Sequence, residues 1–370
     1  MGINNFEKMG SKKHLIKTDC RYYKGSTPCL FHKQSGLICE SCNHYAPLNG
    51  RILIIKLGAA GDVIRTTPLL RKLKENYPDY EISWLTCFSD FLSPKWVDNI
   101  LELNLSNTLW LTEQKFDWVI NLDKDKEAVA LTRKLTASKK SGYTMNDFGK
   151  CIPISSNAEK HKWLTGLNDN ISRANTKNYM EEIFEICGYK FNKENYVLEL
   201  DGKQDWKSID KSKKIVGLNC GCGERWVSRI WPEKNWIELS KILKEKDYEV
   251  ILLGGPQEDK KNKEIAKKSG IKYLGFFPFK TFFSLVGECD IVITQVSMAM
   301  HIAIALNKKL VLLNNIFNKN EFYLYGNGNI AEPELECLGC YKPRQDKNCP
   351  VESCMDLITV QKIYNMVQGF

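Results

Sequence analysis

The sequence lacks any apolar run of the roughly 18 residues that a membrane-crossing helix needs, so it does not predict an integral membrane protein. Its first residues, MGINNFEKMGSKKH, are polar and lack the apolar core of a secretory signal. It also lacks the aromatic and basic motifs that are typical of RNA-binding modules, so we expect no nucleic-acid partner. Together these absences predict a cytoplasmic protein.

Length and composition are those of a globular protein. A chain of 370 residues is too long for one ordinary core, which favours two domains. Apolar residues make up 43% and charged residues 26% of the chain, which argues against global disorder. The net charge of +9 comes from scattered lysines and suits a diphosphate-bearing donor, an acidic acceptor or an anionic membrane face.

Short apolar strands alternate with helical patterns along most of the chain. RILIIKL (51–57) is short and almost continuously apolar, as a buried parallel strand is. A polar run near 200–213 interrupts the alternation and predicts a linker between two α/β halves. Such alternation predicts parallel sheets with crossover helices. The predicted strands are 51–57, 81–86, 118–123, 214–219, 249–255, 290–295 and 309–315, and the predicted helices are 62–77, 127–137, 180–188, 232–246, 259–270, 298–307 and 357–367.

A glycine turn, Gly58-Ala59-Ala60-Gly61-Asp62, joins the first of these strands to a helix. Glycines there let backbone amides approach a ligand, and a helix N-terminus favours anions. The spacing is neither the GxGxxG dinucleotide fingerprint nor a P-loop, which needs a Lys-Ser/Thr pair. From the residues alone, Asp62 is either a functional group of this turn or simply the N-cap of the helix.

The stretch RILIIKLGAAGDVIRTTPLLRKLKENYPDYEISWLT resembles the opening of glycosyltransferase family 9, the bacterial heptosyltransferases, and the resemblance runs from about residue 50 to the C-terminus. It implies a GT-B architecture, in which two Rossmann-like domains with parallel sheets face a cleft. The acceptor would bind the N-terminal half and the donor the C-terminal half. The Asp after the glycine turn is that family's proposed general base, which implies that Asp62 takes the proton of the acceptor hydroxyl. Gly58 and Gly61 would approach the donor.

Two segments of the second half resemble the family's donor loops. In NCGCGERWVSRIWPEKNW (219–236), Arg229 stands two residues before a Trp-Pro pair, where the family usually has Lys. A cation there would bind the diphosphate and stabilise its charge as it leaves. In LLGGPQED (252–259), Glu258 matches an acidic residue that contacts the donor's ribose in the family.

A third donor segment, TQVSMAMHIAIAL (294–306), departs from the family's usual Asp-Ser/Thr-Gly-x-x-His pattern. Ser297 and His301 are retained, whereas Val296 occupies the Asp position and Met298 the Gly position. We nevertheless expect Ser297, Met298 and His301 to contact the donor. Asp123-Lys124-Asp125, which also follows a strand, resembles a metal-binding DxD triplet but lies in the wrong half. We interpret it as an element of the acceptor cleft or of the structure.

Fourteen cysteines are many for a cytoplasmic protein, where disulfides are rare, and eight of them form two quartets. Four thiolates suit tetrahedral zinc or iron, and an iron–sulfur cluster is also open. Because a four-thiolate site is closed, we expect a structural metal and no catalytic one. Some protein-modifying members of the family carry a similar iron site near the C-terminus. The quartets are Cys20, Cys29, Cys39 and Cys42, and Cys337, Cys340, Cys349 and Cys354.

These features predict four segments. They are a Cys-rich, metal-binding extension (1–49), an N-terminal acceptor domain (50–205), a C-terminal donor domain (206–356, with a Cys-rich loop at 337–354) and a C-terminal helix (357–370). The resemblance implies an inverting transferase that moves a heptose or related sugar from a nucleoside diphosphate donor such as ADP-heptose to a hydroxyl of a cell-surface glycan or a protein. Peripheral contact with the inner membrane and homo-oligomerisation stay open. The alternative is a catalytically degenerate metal-binding or assembly protein, which Val296 and Met298 suggest.

Overall fold

The computed structural model describes residues 16–200, 204–223, 226–344, 347 and 349–370. The polar opening segment and small parts of the predicted linker, of the first donor loop and of the C-terminal cysteine loop lie outside the described residues. Within the described residues, no helix is both long and apolar enough to cross a membrane. A Cys-rich segment with one short helix, α1 (Leu30–Ser35), precedes two successive α/β halves.

The first half is built on a six-stranded sheet in the order β3-β2-β1-β4-β5-β6. Neighbouring strands are parallel except for β5 and β6, which are antiparallel. The strands are β1 (Gly50–Ile55), β2 (Tyr80–Thr86), β3 (Asn99–Glu102), β4 (Lys115–Asn121), β5 (Thr136–Met145) and β6 (Cys151–Pro153). The helices are α2 (Ala60–Thr66), α3 (Pro68–Asn76), α4 (Leu105–Thr112), α5 (Lys126–Lys134), α6 (Asn157–Thr165), α7 (Asp169–Ala174) and α8 (Tyr179–Ile186).

The second half repeats this arrangement with a sheet in the order β12-β11-β10-β7-β8-β9, in which all neighbours are parallel. The strands are β7 (Ile215–Asn219), β8 (Glu249–Leu253), β9 (Lys272–Tyr273), β10 (Ile291–Gln295), β11 (Lys309–Leu313) and β12 (Gly328–Ala331). The helices are α9 (Glu233–Glu245), α10 (Asp259–Ser269), α11 (Phe279–Glu288), α12 (Met298–Ala305) and α13 (Val360–Gln368). The predicted pair of Rossmann-like, parallel-sheet halves is therefore confirmed.

Two predicted helices have different bounds in the structure. The helix predicted over 62–77 is two helices, because Pro68 opens a new helix at a position where its missing N–H costs nothing. The helix predicted over 127–137 ends at Lys134. Leu135 is extended, and Thr136 pairs with Lys115 as the first residue of β5. Five of the ten residues in that strand are lysine, serine or threonine outside the core, so its apolar pattern is too weak to predict it.

The two halves share one apolar core. Val63 and Ile64 of α2 belong to the same buried cluster as Met300 and Ile302 of α12. The carboxyl ends of the parallel strands of both halves therefore approach each other, and ligands of open α/β sheets bind at that edge.

The side chain of Asn318 adds polar contacts between the halves. Its amide nitrogen donates to the carbonyl oxygens of Ser172 and Asn175, at 2.8 and 2.7 Å. Its backbone N–H donates to the Tyr341 hydroxyl, 3.2 Å away, and that hydroxyl is 2.7 Å from Ser172 Oγ. The C-terminal cysteine loop, which carries Tyr341, is thus in direct contact with the end of α7.

Candidate functional site

A cleft of about 540 Å³ lies between the two halves. Its walls come from the glycine turn and α2 on one side, and from the ends of β7, β8 and β10 on the other. The structure brings seven of the eight residues predicted for catalysis and donor binding to this cleft, namely Gly61, Asp62, Arg229, Glu258, Ser297, Met298 and His301. Gly58 instead lines an adjoining pocket, which shares Asp62 with the cleft.

The glycine turn is held by Asp123, which lies at the end of the neighbouring strand β4. One carboxylate oxygen of Asp123 accepts hydrogen bonds from the N–H groups of Leu57 and Gly58, at 2.9 and 3.2 Å. The same oxygen is 3.2 Å from the buried ammonium of Lys56. Asp123 therefore fixes the backbone of the turn, which is one of the two roles that the sequence left open for the DxD triplet.

The carboxylate of Asp62 faces the cleft from the first turn of α2 and makes no side-chain cap to that helix. One oxygen is 2.8 Å from Arg65 Nη2, and the other is 3.7 Å from Lys56 Nζ. Burial alone would raise the pKa of Asp62, but the charges of Arg65 and Lys56 outweigh it and lower the pKa to about 2. Asp62 is therefore ionised throughout the physiological pH range, and one third of its side chain is exposed to the cleft, at 33%.

Arg65 lines the cleft beside Asp62 and was not predicted from the sequence. Its guanidinium carbon lies 3.6 Å from the centroid of the Tyr179 ring, and its Nε is buried without a partner among the described residues. The spacing of three residues on one helix places Arg65 next to Asp62, and this was a usable signal. The stacking on Tyr179, more than a hundred residues away, was not visible in the sequence.

Gly61 and His301 lie close together on opposite walls of the cleft. A Cβ atom at Gly61 would lie 2.7 Å from Cδ2 of His301, so only glycine fits at this position while the ring stays in place. The ring's Nδ1 is 3.3 Å from the hydroxyl of Tyr196. Burial, and then the charge of Arg65, lowers the pKa of His301 to about 3, so the imidazole is neutral at physiological pH.

The opposite wall is organised by Asn219, at the end of β7. Its side-chain nitrogen contacts Thr294 Oγ1 and Ser297 Oγ at 2.9 and 3.2 Å, and so joins two donor segments. Glu258 packs against Gly221, where a Cβ atom would lie 2.0 Å from Glu258 Cγ. One Glu258 oxygen accepts a hydrogen bond from the N–H of Gly255, at 3.0 Å. The three predicted donor segments (219–236, 252–259 and 294–306) therefore meet at one edge of the sheet.

Arg229 stands at the end of a short 3₁₀ turn, Val227–Arg229, and donates to the carbonyl oxygen of Cys222. Its Nε is buried and has no partner within the described part of the chain. The C-terminal cysteine loop is hydrogen-bonded to this turn. Ser228 N–H and Oγ donate to the carbonyl oxygens of Pro343 and Lys342, at 3.2 and 2.6 Å. A guanidinium held in this way can face a diphosphate without rearrangement.

The adjoining pocket, of about 330 Å³, lies entirely on the N-terminal half and contains the Lys124 ammonium and the Tyr143 hydroxyl. Lys124 Nζ donates to the carbonyl oxygen of Lys162, at 2.9 Å. Burial, and then the charge of Lys162, lowers the pKa of Lys124 to about 8. The Tyr143 hydroxyl is buried and finds no hydrogen-bond partner among the described residues. Lys124 and Tyr143 therefore line a space that Asp62 also borders.

The two cysteine quartets lie in different surroundings. In the described residues, no group of three or more His, Cys, Asp or Glu side chains is arranged to hold a metal ion, so the prediction of a metal at either quartet is not confirmed. The thiols of Cys20, Cys29, Cys39 and Cys42 all line one cavity in the N-terminal segment. In the C-terminal loop, Cys354 Sγ is 3.1 Å from Asn315 Nδ2. The same nitrogen also donates to the carbonyl oxygen of Ser228, at 2.8 Å.

The sequence model of glycosyltransferase family 9 (heptosyltransferase) matches residues 108–341, which is more than half of the chain. Lipooligosaccharide heptosyltransferase 2 of Haemophilus influenzae is 23% identical over 296 residues, which cover 71% of this chain and 82% of that protein. A family 9 glycosyltransferase from Veillonella parvula has the same fold, with a TM-score of 0.65, 17% identity, and coverage of 87% of this chain and 97% of its own.

A second fold relative carries iron. TibC from enterotoxigenic E. coli is an iron-containing dodecameric heptosyltransferase, solved in complex with ADP-D-beta-D-heptose. That complex superposes with a TM-score of 0.55 at 13% identity and covers 86% of this chain and 76% of its own.

Proposed function

Because the chain belongs to glycosyltransferase family 9, and is therefore a glycosyltransferase, we propose that it moves a heptose or a related sugar from ADP-heptose to an acceptor hydroxyl with inversion at the anomeric carbon. The observation that carries this proposal is the position of Asp62 and Arg229, which line one cleft from opposite halves. A transfer with inversion needs a base on one side of the reacting carbon and a stabiliser for the leaving diphosphate on the other.

On the acceptor side, Asp62 takes the proton of the incoming hydroxyl. Its low pKa keeps it ionised, and the proton moves as the hydroxyl oxygen bonds to the anomeric carbon, when that proton becomes acidic. Arg65 and Lys56 hold the carboxylate in place before the reaction. Pre-organisation of this kind lowers the reorganisation that the transition state requires.

On the donor side, Arg229 binds the diphosphate and stabilises the charge that develops as it leaves. Glu258, with one oxygen held by Gly255 N–H, presents its other oxygen to the ribose hydroxyls. Ser297, Met298 and His301 border the same space. The neutral His301 ring can either donate one hydrogen bond to the nucleotide sugar or accept one from it. Gly61 lets that ring approach the turn.

The pocket beside Asp62 is the acceptor's binding region in this proposal. Lys124 and the Tyr143 hydroxyl together suit an anionic oxygen group on the acceptor, such as a carboxylate or phosphate of a cell-surface glycan. We further propose that the protein works in the cytoplasm, where a nucleotide-activated sugar would be its donor.

The C-terminal quartet is proposed to hold one structural zinc or iron ion, as a support for the donor loop. Two observations favour a structural role for this ion over a catalytic one. The loop is hydrogen-bonded to the turn that carries Arg229, and Cys354 contacts Asn315 behind that turn. Four thiolates would hold such an ion without an open coordination position for substrate.

A donor screen on the metal-replete protein tests the proposed reaction. A donor that binds only the folded state raises the melting temperature, and we expect ADP-heptose to raise it more than ADP or UDP-sugars do. Transfer to the acceptor should then be followed with ADP release as the readout. A melting temperature that no ADP-sugar changes would contradict the proposed donor.

The second candidate function is a degenerate, metal-binding assembly protein. Val296 and Met298 favour it, because they stand in the cleft where the family pattern has Asp and Gly. Calorimetry separates the two, since a protein with intact metal content and no heat of binding for any nucleotide sugar would fit only this candidate.

A further inference from the structure

The N-terminal cysteine module, residues 16–49, has no core of its own. None of its residues is buried, and its one helix, α1, buries no side chain. Modules of fewer than about 40 residues that lack a hydrophobic core are usually held together by disulfides or by metal. Cys20, Cys29, Cys39 and Cys42 form no disulfide. The fold of this module therefore needs another cross-link.

Cys20, Cys29, Cys39 and Cys42 all line a single cavity of about 580 Å³. This is slightly more than the volume of about 540 Å³ of the interdomain cleft, although the module is only a small part of the chain. Aromatic side chains form part of the wall. Phe31 stacks on His44 with 3.9 Å between the ring centroids, and Tyr22 packs edge-on against Phe31. An occupant bound by all four cysteines would supply the cross-link that the module lacks.

Two kinds of occupant suit four cysteines that line one cavity, a single metal ion and an iron–sulfur cluster. A single tetrahedral zinc ion, with Zn–S bonds of about 2.3 Å, would bring its thiolates to within about 4 Å of one another. The four cysteines of the module line a wider space, of about 580 Å³. In an iron–sulfur cluster each thiolate can bind a different iron atom, so four cysteines surround a wider volume. An apolar wall also suits a cluster, because it limits the access of solvent.

We propose that Cys20, Cys29, Cys39 and Cys42 ligate an iron–sulfur cluster that holds the N-terminal module together. The module is attached at the edge of the first sheet where the strands begin. Arg21 Nη2 donates to the carbonyl oxygen of Tyr80, the first residue of β2, at 2.9 Å. The transfer cleft lies at the other ends of the strands, so the cluster is structural and takes no part in the transfer reaction.

The test uses the full chain, purified and kept under nitrogen. We expect acid-labile sulfide and at least an equal amount of iron, together with the broad visible absorption of a thiolate-bound cluster. The double variant Cys39→Ser/Cys42→Ser should lose the sulfide completely. The matched variant Cys337→Ser/Cys340→Ser, in the other quartet, should keep it. Acid-labile sulfide distinguishes the two sites because a mononuclear ion at the C-terminal quartet contributes none.

Mössbauer spectra of the unsubstituted protein give an answer that does not depend on the folding of any variant. Iron coupled within a cluster and a lone tetrahedral iron ion differ in their spectra. One zinc or one iron per module without sulfide would overturn the proposal. So would an unsubstituted chain that takes up no sulfide on reconstitution with ferrous iron and sulfide, or sulfide that only the C-terminal variant loses.

Discussion

The two walls of the cleft differ in how their charges are held. On the N-terminal wall, Asp62 is held between Arg65 and Lys56, and Lys56 is itself paired with Asp123. On the C-terminal wall, Arg229 is the only basic side chain among the described lining residues, and it contacts a carbonyl oxygen instead of a carboxylate. The N-terminal wall is thus organised before any ligand arrives, whereas the C-terminal wall carries a cation that is left for an anionic ligand to neutralise.

The largest effect is expected on the N-terminal wall. Asp62→Asn keeps the shape of the side chain but removes the base, so transfer should fall by about 10²–10⁴-fold, the usual contribution of a general base. The rate of ADP release with acceptor measures this, and Asp147→Asn, at an exposed position, is the control. Full activity of Asp62→Asn would show that the base lies elsewhere.

The next effect concerns the C-terminal wall. Arg229→Gln should reduce kcat by about 10²–10³-fold, because one electrostatic stabiliser of the leaving group is lost. Arg229→Lys should retain more activity, since it keeps the positive charge but not the forked geometry. Lys263→Gln, an exposed change on α10, serves as the control. If Arg229→Gln and Lys263→Gln behave alike in single-turnover measurements, the cleft cation does not bind the diphosphate.

The acceptor pocket predicts a dependence on pH. Lys124 has a pKa lowered to about 8, so raising the pH through 8 removes its charge, and the KM for an anionic acceptor should rise severalfold above that pH. Asp62, with a pKa of about 2, and His301, with a pKa of about 3, do not titrate in this range.

Lys124→Met should raise the KM at neutral pH and abolish its dependence on pH between 7 and 9. Lys160→Met, an exposed change on α6, should leave the dependence intact. If KM depends on pH in the same way in both variants, Lys124 does not bind the acceptor.

The smallest effect is expected where the C-terminal wall is apolar. Val296→Asp restores a hydrogen-bond acceptor that could bind a donor hydroxyl, and one such bond contributes about 0.5–1.5 kcal/mol. The KM for the donor should therefore fall by roughly 2–10-fold. Val296→Ala, which alters size without adding an acceptor, is the control. A KM raised by Val296→Asp would place negative charge of the donor next to this position.

Sequence reasoning predicted the C-terminal wall better than the N-terminal one. Arg229, Glu258 and Ser297 each follow a strand within a short motif, and the resemblance of these motifs to the family's donor loops identified them. On the N-terminal side the glycine turn and Asp62 were found, and Asp123-Lys124-Asp125 was interpreted only as an element of the acceptor cleft or of the structure. Arg65 depends on Tyr179, and the role of Lys124 depends on the end of α6, which are contacts between segments far apart in the chain. Local periodicity contains no information about such contacts.

The strength of the local apolar pattern likewise determines which strands could be predicted from the sequence. Strands such as β1, whose residues Ile52 to Ile55 are all fully buried, have a continuous apolar pattern. β5 is placed by its pairing with β4 and not by its own residues, so its first two residues were predicted as the end of a helix and the rest of the strand was not predicted. For the cysteines, spacing identified two quartets but could not show that one lines a cavity while the other supports the donor loop.

The contacts of Asn318 have a consequence for protein engineering. Its amide nitrogen donates to the backbone carbonyl oxygens of Ser172 and Asn175 and not to their side chains. Any sequence with the same main-chain path at that point can therefore accept these hydrogen bonds. A chimaera that joins this donor half to the acceptor half of a relative should therefore assemble only if the relative ends its corresponding helix in the same way. The choice of crossover point, and with it the prospect of exchanging acceptors while keeping one donor, depends on that short stretch of main chain.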